Sequence, residues 1–91
     1  MSPSPHVDGA VAKGIQDERY QSLMATLRAA RAERGLTQSD VAAALQTRQQ
    51  FVSKYESGER RLDVIEFVDV ACALGLDWSE LLNGVTHKVV E

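Results

Sequence analysis

Cysteine is nearly missing from this 91-residue chain: Cys72 stands alone, so no internal disulfide can staple the fold. A single thiol fits a reducing cytosol, and a cytoplasmic protein is expected. Histidine is almost as scarce, with only His6 and His87, near opposite ends. No acid–histidine–nucleophile set is suggested at local spacing, and no CxxC or HxxxH pattern offers a metal its ligands. The chain is therefore expected not to be an enzyme and to hold no cofactor, metal or small-molecule ligand. The leading "MSPSPHVDG" lacks the apolar segment of a secretion signal, and no window approaches a membrane span. Strand signals are missing too, because β-branched residues are scattered and never alternate. The length suffices for one small domain with a modest core, and nothing beyond Gly84 could build a ligand domain.

Basic charge is also short overall, since the formal net charge is −3. Its distribution matters more than its sum. Across 17–62, Arg and Lys slightly outnumber Asp and Glu, whereas Lys88 alone faces Asp63, Glu66, Asp69, Asp77, Glu80 and Glu91 beyond that point. The acidity is segregated into the last third, which leaves room for a basic face on the middle of the chain. Binding of phosphates responds to that local potential.

What the chain does have is helical periodicity with regular punctuation. Residues 1–16, rich at first in Ser, Pro, Gly and Ala, read as a flexible N-terminal arm. From Asp17 a first helix sets Tyr20, Leu23, Met24, Leu27, Ala30, Arg31 and Arg34 in one stripe, until Gly35 ends it. Thr37, with Asp40 three residues on, opens a second helix that buries Val41, Ala44 and Leu45. Thr47 repeats the device with Gln50, and that third helix runs to about Ser57, before Gly58. Asp63 caps a fourth helix ended by Gly75, and Asp77 with Glu80 opens a short fifth that stops at Asn83–Gly84. The expectation is an all-α domain of five helices over 17–84, with 85–91 as a tail. Cys72 and Trp78 are expected to be packing residues of its core.

The second and third helices are short and joined tightly, the arrangement of a helix-turn-helix unit. On the third, Gln49, Gln50, Ser53, Lys54 and Ser57 share a polar arc, while Phe51, Val52 and Tyr55 share an apolar one. Gln can offer paired donor and acceptor atoms to adenine, and Lys suits guanine or phosphate. A merely solvated helix face is the alternative. Two charges sharpen the reading. Arg31 sits within the apolar stripe of the first helix and Glu56 beside the apolar arc of the third. Lone charges there are expensive, so pairing with each other is the economical arrangement, against separate snorkelling to water.

The segments "LTQSDVAAAL", "TRQQFVSKYESGERR" and "ACALGLDWSELL" resemble the Cro/C1-type (XRE-family) helix-turn-helix domain of phage repressors and bacterial regulators. The resemblance covers roughly Tyr20 to Gly84. It implies a lambda-repressor-like DNA-binding domain, usually a homodimer on an inverted-repeat operator, in a bacterial or phage-encoded transcriptional repressor. It also implies roles. Gln49, Gln50, Ser53 and Lys54 match base-reading positions, Gln38 a phosphate contact that buttresses Gln49, and Arg31–Glu56 a buried ion pair. Ser57, Arg60 and Arg61 match a loop that grips the backbone, and Arg48 adds a phosphate contact at the third helix's N-terminus. Where the family usually has Gly in the turn, this chain has Gln46, and Phe51 replaces a smaller residue; packing is the expected role of Phe51. An antitoxin-like module, with an acidic C-terminus meeting a partner protein, is the alternative function. The dimer seam is expected in the C-terminal segment, around Trp78, Leu82, Val85, Val89 and Val90.

Overall fold

Helix ends in this chain are written by hydrogen bonds to neighbours two to five residues away, and five helices result among the described residues. The computed structural model describes residues 16–90, with side chains as far as Val85. The arm expected over 1–16 thus lies outside the described residues, apart from Gln16. The helices are α1 (Glu18–Glu33), α2 (Gln38–Ala44), α3 (Gln49–Ser57), α4 (Val64–Ala73) and α5 (Trp78–Val90). No strand occurs among the described residues.

Each of the first four helices stops by turning through a left-handed residue: Gly35 (φ 70°), Gln46 (57°), Gly58 (86°) and Gly75 (73°). At α2 the Thr47 N–H donates to Ala42 O (2.9 Å) and the Gln46 N–H to Ala43 O (3.1 Å), a Schellman closure. Glycine has no Cβ to clash in that conformation, but Gln46 has one. Gln46 is therefore held in a strained conformation. Gln46→Gly should raise stability by about 0.5–1 kcal/mol, the relief being partly offset by the freer unfolded chain. Thermal unfolding would register this as a melting temperature higher by a few degrees. An unchanged or lowered midpoint would contradict the strain.

Starts are equally local. Thr37 Oγ1 accepts from the Asp40 N–H (3.0 Å), and the Thr37 N–H donates to the Asp40 carboxylate (2.8 Å). Asp63 and Glu66 form the same reciprocal box at α4. Asp17 caps α1 by accepting from the Arg19 N–H (2.8 Å). At α5, Asp77 Oδ1 accepts from the Ser79 N–H (2.9 Å) and the Glu80 N–H (3.3 Å).

Two boundaries differ from expectation. The cap of α3 is Arg48 and not Thr47, and it makes no side-chain capping bond. The reason is topological: the Thr47 N–H closes α2, so the chain first becomes extended at Arg48. The fifth helix does not stop at Asn83–Gly84 but continues to Val90. Gly84 keeps an ordinary negative φ, since only the left-handed turn would have made it a stop. Mid-helix glycine costs only about 1 kcal/mol relative to alanine. The boundary expected between domain and tail thus falls inside α5.

The core is built from Leu27 and Ala30 of α1, Val41 and Ala42 of α2, Val52 and Tyr55 of α3, and Phe67, Val70, Ala71 and Leu74 of α4. Leu62 plugs it from the loop before α4. Two expected core residues miss it, and one expected packing residue is only partly covered. Ala44 is exposed, because α2 turns Val41 and Ala42 inward and leaves Leu45 half-buried. Cys72 is exposed, and Trp78 is 41% exposed at the first turn of α5. Both sit where a helix is covered on one side only. The consequence is that α2 packs on α3, and α3 on α1, presenting the outer face of α3 to solvent.

Candidate nucleic-acid interface

Geometry at the outer face of α3 begins with a charge buried behind it. Arg31 Nε donates to Glu56 Oε2 (2.7 Å) and Nη2 to Oε1 (3.0 Å), a two-bond pair whose side chains are 17% and 5% exposed. Arg31 Nη1 also donates to the Leu36 carbonyl (2.9 Å), so the guanidinium ties α1, the α1–α2 turn and α3 together. Burial pushes the Glu56 carboxyl up, but bonds from Arg31 and Gln38 outweigh it and hold it below the usual carboxylate range. The Arg31 guanidinium is correspondingly raised by its bond to Glu56.

That anion sets the direction of the hydrogen bonds leading outward. Gln38 Nε2 donates to Glu56 Oε1 (2.9 Å), which turns the Gln38 carbonyl oxygen toward α3. Gln49 Nε2 in turn donates to Gln38 Oε1 (3.1 Å). A carboxylate can only accept, so the polarity of both amides follows from one buried charge. Gln49 is left with its oxygen and one N–H, still enough for a paired contact. Gln50, Lys54 and Ser57 are exposed beside it, and Ser53 is half-buried. Gln49, Gln50, Lys54 and Ser57 therefore share one uncovered face with Ser53 partly covered among them, Arg31 is paired with Glu56, and Gln38 is bonded to Gln49.

The N-terminus of α3 adds a second feature. With no side-chain cap at Arg48, the first amides of α3 point outward next to an exposed Arg48. Unpaired helix N-terminal amides favour anions. Gln38 occupies the first position of α2, where its backbone N–H has the same character. Its side-chain amide, however, is engaged at both ends.

The loop after α3 is more tightly held than its sequence suggests. The Leu62 N–H donates to the Tyr20 hydroxyl (3.1 Å), pinning the loop to α1. Ser57 Oγ donates to Lys54 O (3.1 Å) and lies 3.2 Å from Glu59 Oε2. Arg60 is bound at both ends of its fork by Glu66 (2.8 Å each), and its guanidinium carbon sits 4.9 Å from the Phe51 ring centroid. Phe51 itself meets Tyr55 edge-on at 5.5 Å, so packing is its role. Arg61 is exposed. Tyr20 and Glu66 were missed as functional residues. The Asp63–Glu66 spacing was the available signal for Glu66, whereas nothing local marked Tyr20.

Among the described residues no His, Cys, Asp and Glu group could hold a metal ion, and no helix is long and apolar enough to cross a membrane.

Comparison with known proteins agrees with this geometry. A helix-turn-helix family model matches residues 27–81. Among solved structures, an XRE-family like protein from Pseudomonas syringae pv. tomato str. DC3000 is 45% identical, with a TM-score of 0.75. The match covers 86% of this chain and 95% of that one. No curated protein matches. The uncovered polar face of α3, the buried clamp behind it and these likenesses converge: the chain belongs to the XRE-type helix-turn-helix family of DNA-binding transcription regulators.

Proposed function

We propose that the protein binds an inverted-repeat operator as a homodimer and represses transcription by occupying it. The observation that carries this reading is the orientation chain from Arg31 through Glu56 and Gln38 to Gln49, which fixes an amide outward on an exposed helix face. Gln49 would take adenine through its remaining N–H and its oxygen, with Gln50 and Ser53 on adjoining base edges. Lys54 would contact guanine or phosphate. Backbone phosphates would be held by the N-terminal amides of α2 and α3, at Gln38 and Arg48, and by the loop through Ser57 and Arg61. Such contacts release counterions, so affinity should fall steeply with salt.

One domain spans only half a site. Two copies of α3 would sit roughly 34 Å apart, one turn of the duplex. We assign the seam between copies to α4 and α5, where Val64 (72%), Ile65 (68%) and Trp78 (41%) are exposed. The side chains of Val89 and Val90, also expected there, lie outside the described residues. Sedimentation should show a dimer at tens of micromolar, weakened by Trp78→Glu; a strict monomer under all these conditions would move or remove the seam.

The experiment that tests the function is selection of duplexes from a random pool by the purified chain. An enriched inverted repeat with half-sites about one turn apart is expected. A pool that emerges unenriched, with binding alike for every sequence, would overturn the reading.

A further inference from the structure

Arg60 looks from the sequence like a second phosphate ligand beside Arg61, yet its side chain, although 42% exposed, is already held within the chain. Nη1 donates to Glu66 Oε1 and to the Arg61 carbonyl (3.2 Å), and Nη2 donates to Glu66 Oε2. Its flat face covers Phe51. We propose that Glu66 withholds Arg60 from the DNA backbone, so that Arg60 positions the α3–α4 loop while Arg61 contacts phosphate.

Glu66 is suited to this because it stays in place without Arg60. It occupies the third position of α4, where its carboxylate accepts from the Asp63 N–H (3.0 Å) as half of the capping box. The positive end of α4 favours the same charge. Arg60 therefore meets an anion already oriented for a two-bond fork, the geometry in which guanidinium–carboxylate pairs are strongest. Moving Arg60 to a phosphate would exchange one anion for another and give up the ring contact with Phe51. It would also leave the Glu66 charge bare beside a polyanion. The pair presents almost no net charge to the duplex, and the positive charge the loop brings to the backbone comes from Arg61.

The inference rests on the DNA-binding reading, and salt dependence tests it separately. Binding of the full chain to its selected operator and to an unrelated duplex would be followed against salt concentration. The variants are Arg60→Gln, Arg61→Gln, Glu66→Gln and the Arg60→Gln/Glu66→Gln pair. Gln at position 66 preserves the capping box, so the fold is retained. Arg61→Gln should flatten the log–log slope by about one unit per domain. Glu66→Gln should steepen it by about the same amount on both duplexes, and the double variant should return it to the wild-type value. A gain that persists in the double variant would mean that Arg60 is not the group Glu66 withholds, and would overturn the proposal. So would Arg60→Gln flattening the slope as much as Arg61→Gln. A wild-type chain that bound no duplex at all would overturn the interface itself, and this inference with it.

Discussion

Glu56→Ala is expected to destabilise the fold by roughly 3 kcal/mol. The alanine would strand a largely buried guanidinium and leave the inner donor of Gln38 without its acceptor. For a domain of this size the melting temperature should fall by more than about 10 °C. The pH dependence follows from the depressed Glu56 carboxyl. Its stabilisation is fully present above the ordinary unfolded carboxylate value, near pH 4.5, and fades as pH falls through the lower folded value. Wild type and variant should therefore converge in acid and differ most near neutrality. Replacing both charges, Arg31→Met with Glu56→Leu, should recover most of the stability, because no charge is then left unpaired. It should not recover DNA sequence preference, since Gln38 and Gln49 would lose the anion that orients them. A Glu56→Ala variant as stable as wild type at neutral pH would show that Arg31 reaches water on its own.

Removing the amides of Gln49 and Gln50 together is the second large effect. Each well-formed paired contact to a base edge discriminates by roughly 1–3 kcal/mol, so the Gln49→Ala/Gln50→Ala variant should lose at least about tenfold of its preference for the selected operator. Affinity for unrelated duplexes should hardly change, and the salt slope should stay as it was, because neither residue carries charge. Stability should shift little, as both side chains are exposed. This pattern separates base reading from backbone gripping, where Arg61→Gln weakens all duplexes alike. Competition between operator and unrelated DNA measures it directly. An undiminished preference would move base recognition away from the first turn of α3.

Much of the interface was legible because amphipathic helices advertise both faces at once. The spacing that buries Val52 and Tyr55 necessarily turns Gln49, Gln50 and Lys54 outward. Even the Arg31–Glu56 pair could be foreseen, as two charges on inward stripes have few other solutions. Elsewhere the same reasoning stopped short. Thr47 has the composition of a cap, but its N–H was already committed to closing α2. Gly84 has the composition of a stop, but only a left-handed turn would have used it as one. Cys72 and Trp78 are apolar enough for a core, yet the packing of α4 and α5 leaves them at its margin.

Helix identity, most helix ends and the polar reading face were determined by sequence alone, because each depends on hydrogen bonds or periodicities within a few residues. Tertiary structure alone decided that Tyr20 holds the loop at Leu62, that Glu66 captures Arg60, and which way the amides of Gln38 and Gln49 point. Those outcomes depend on which donor meets which acceptor across helices. Local chemistry supplies the candidates for such pairs, and only the packed core brings one of them within reach.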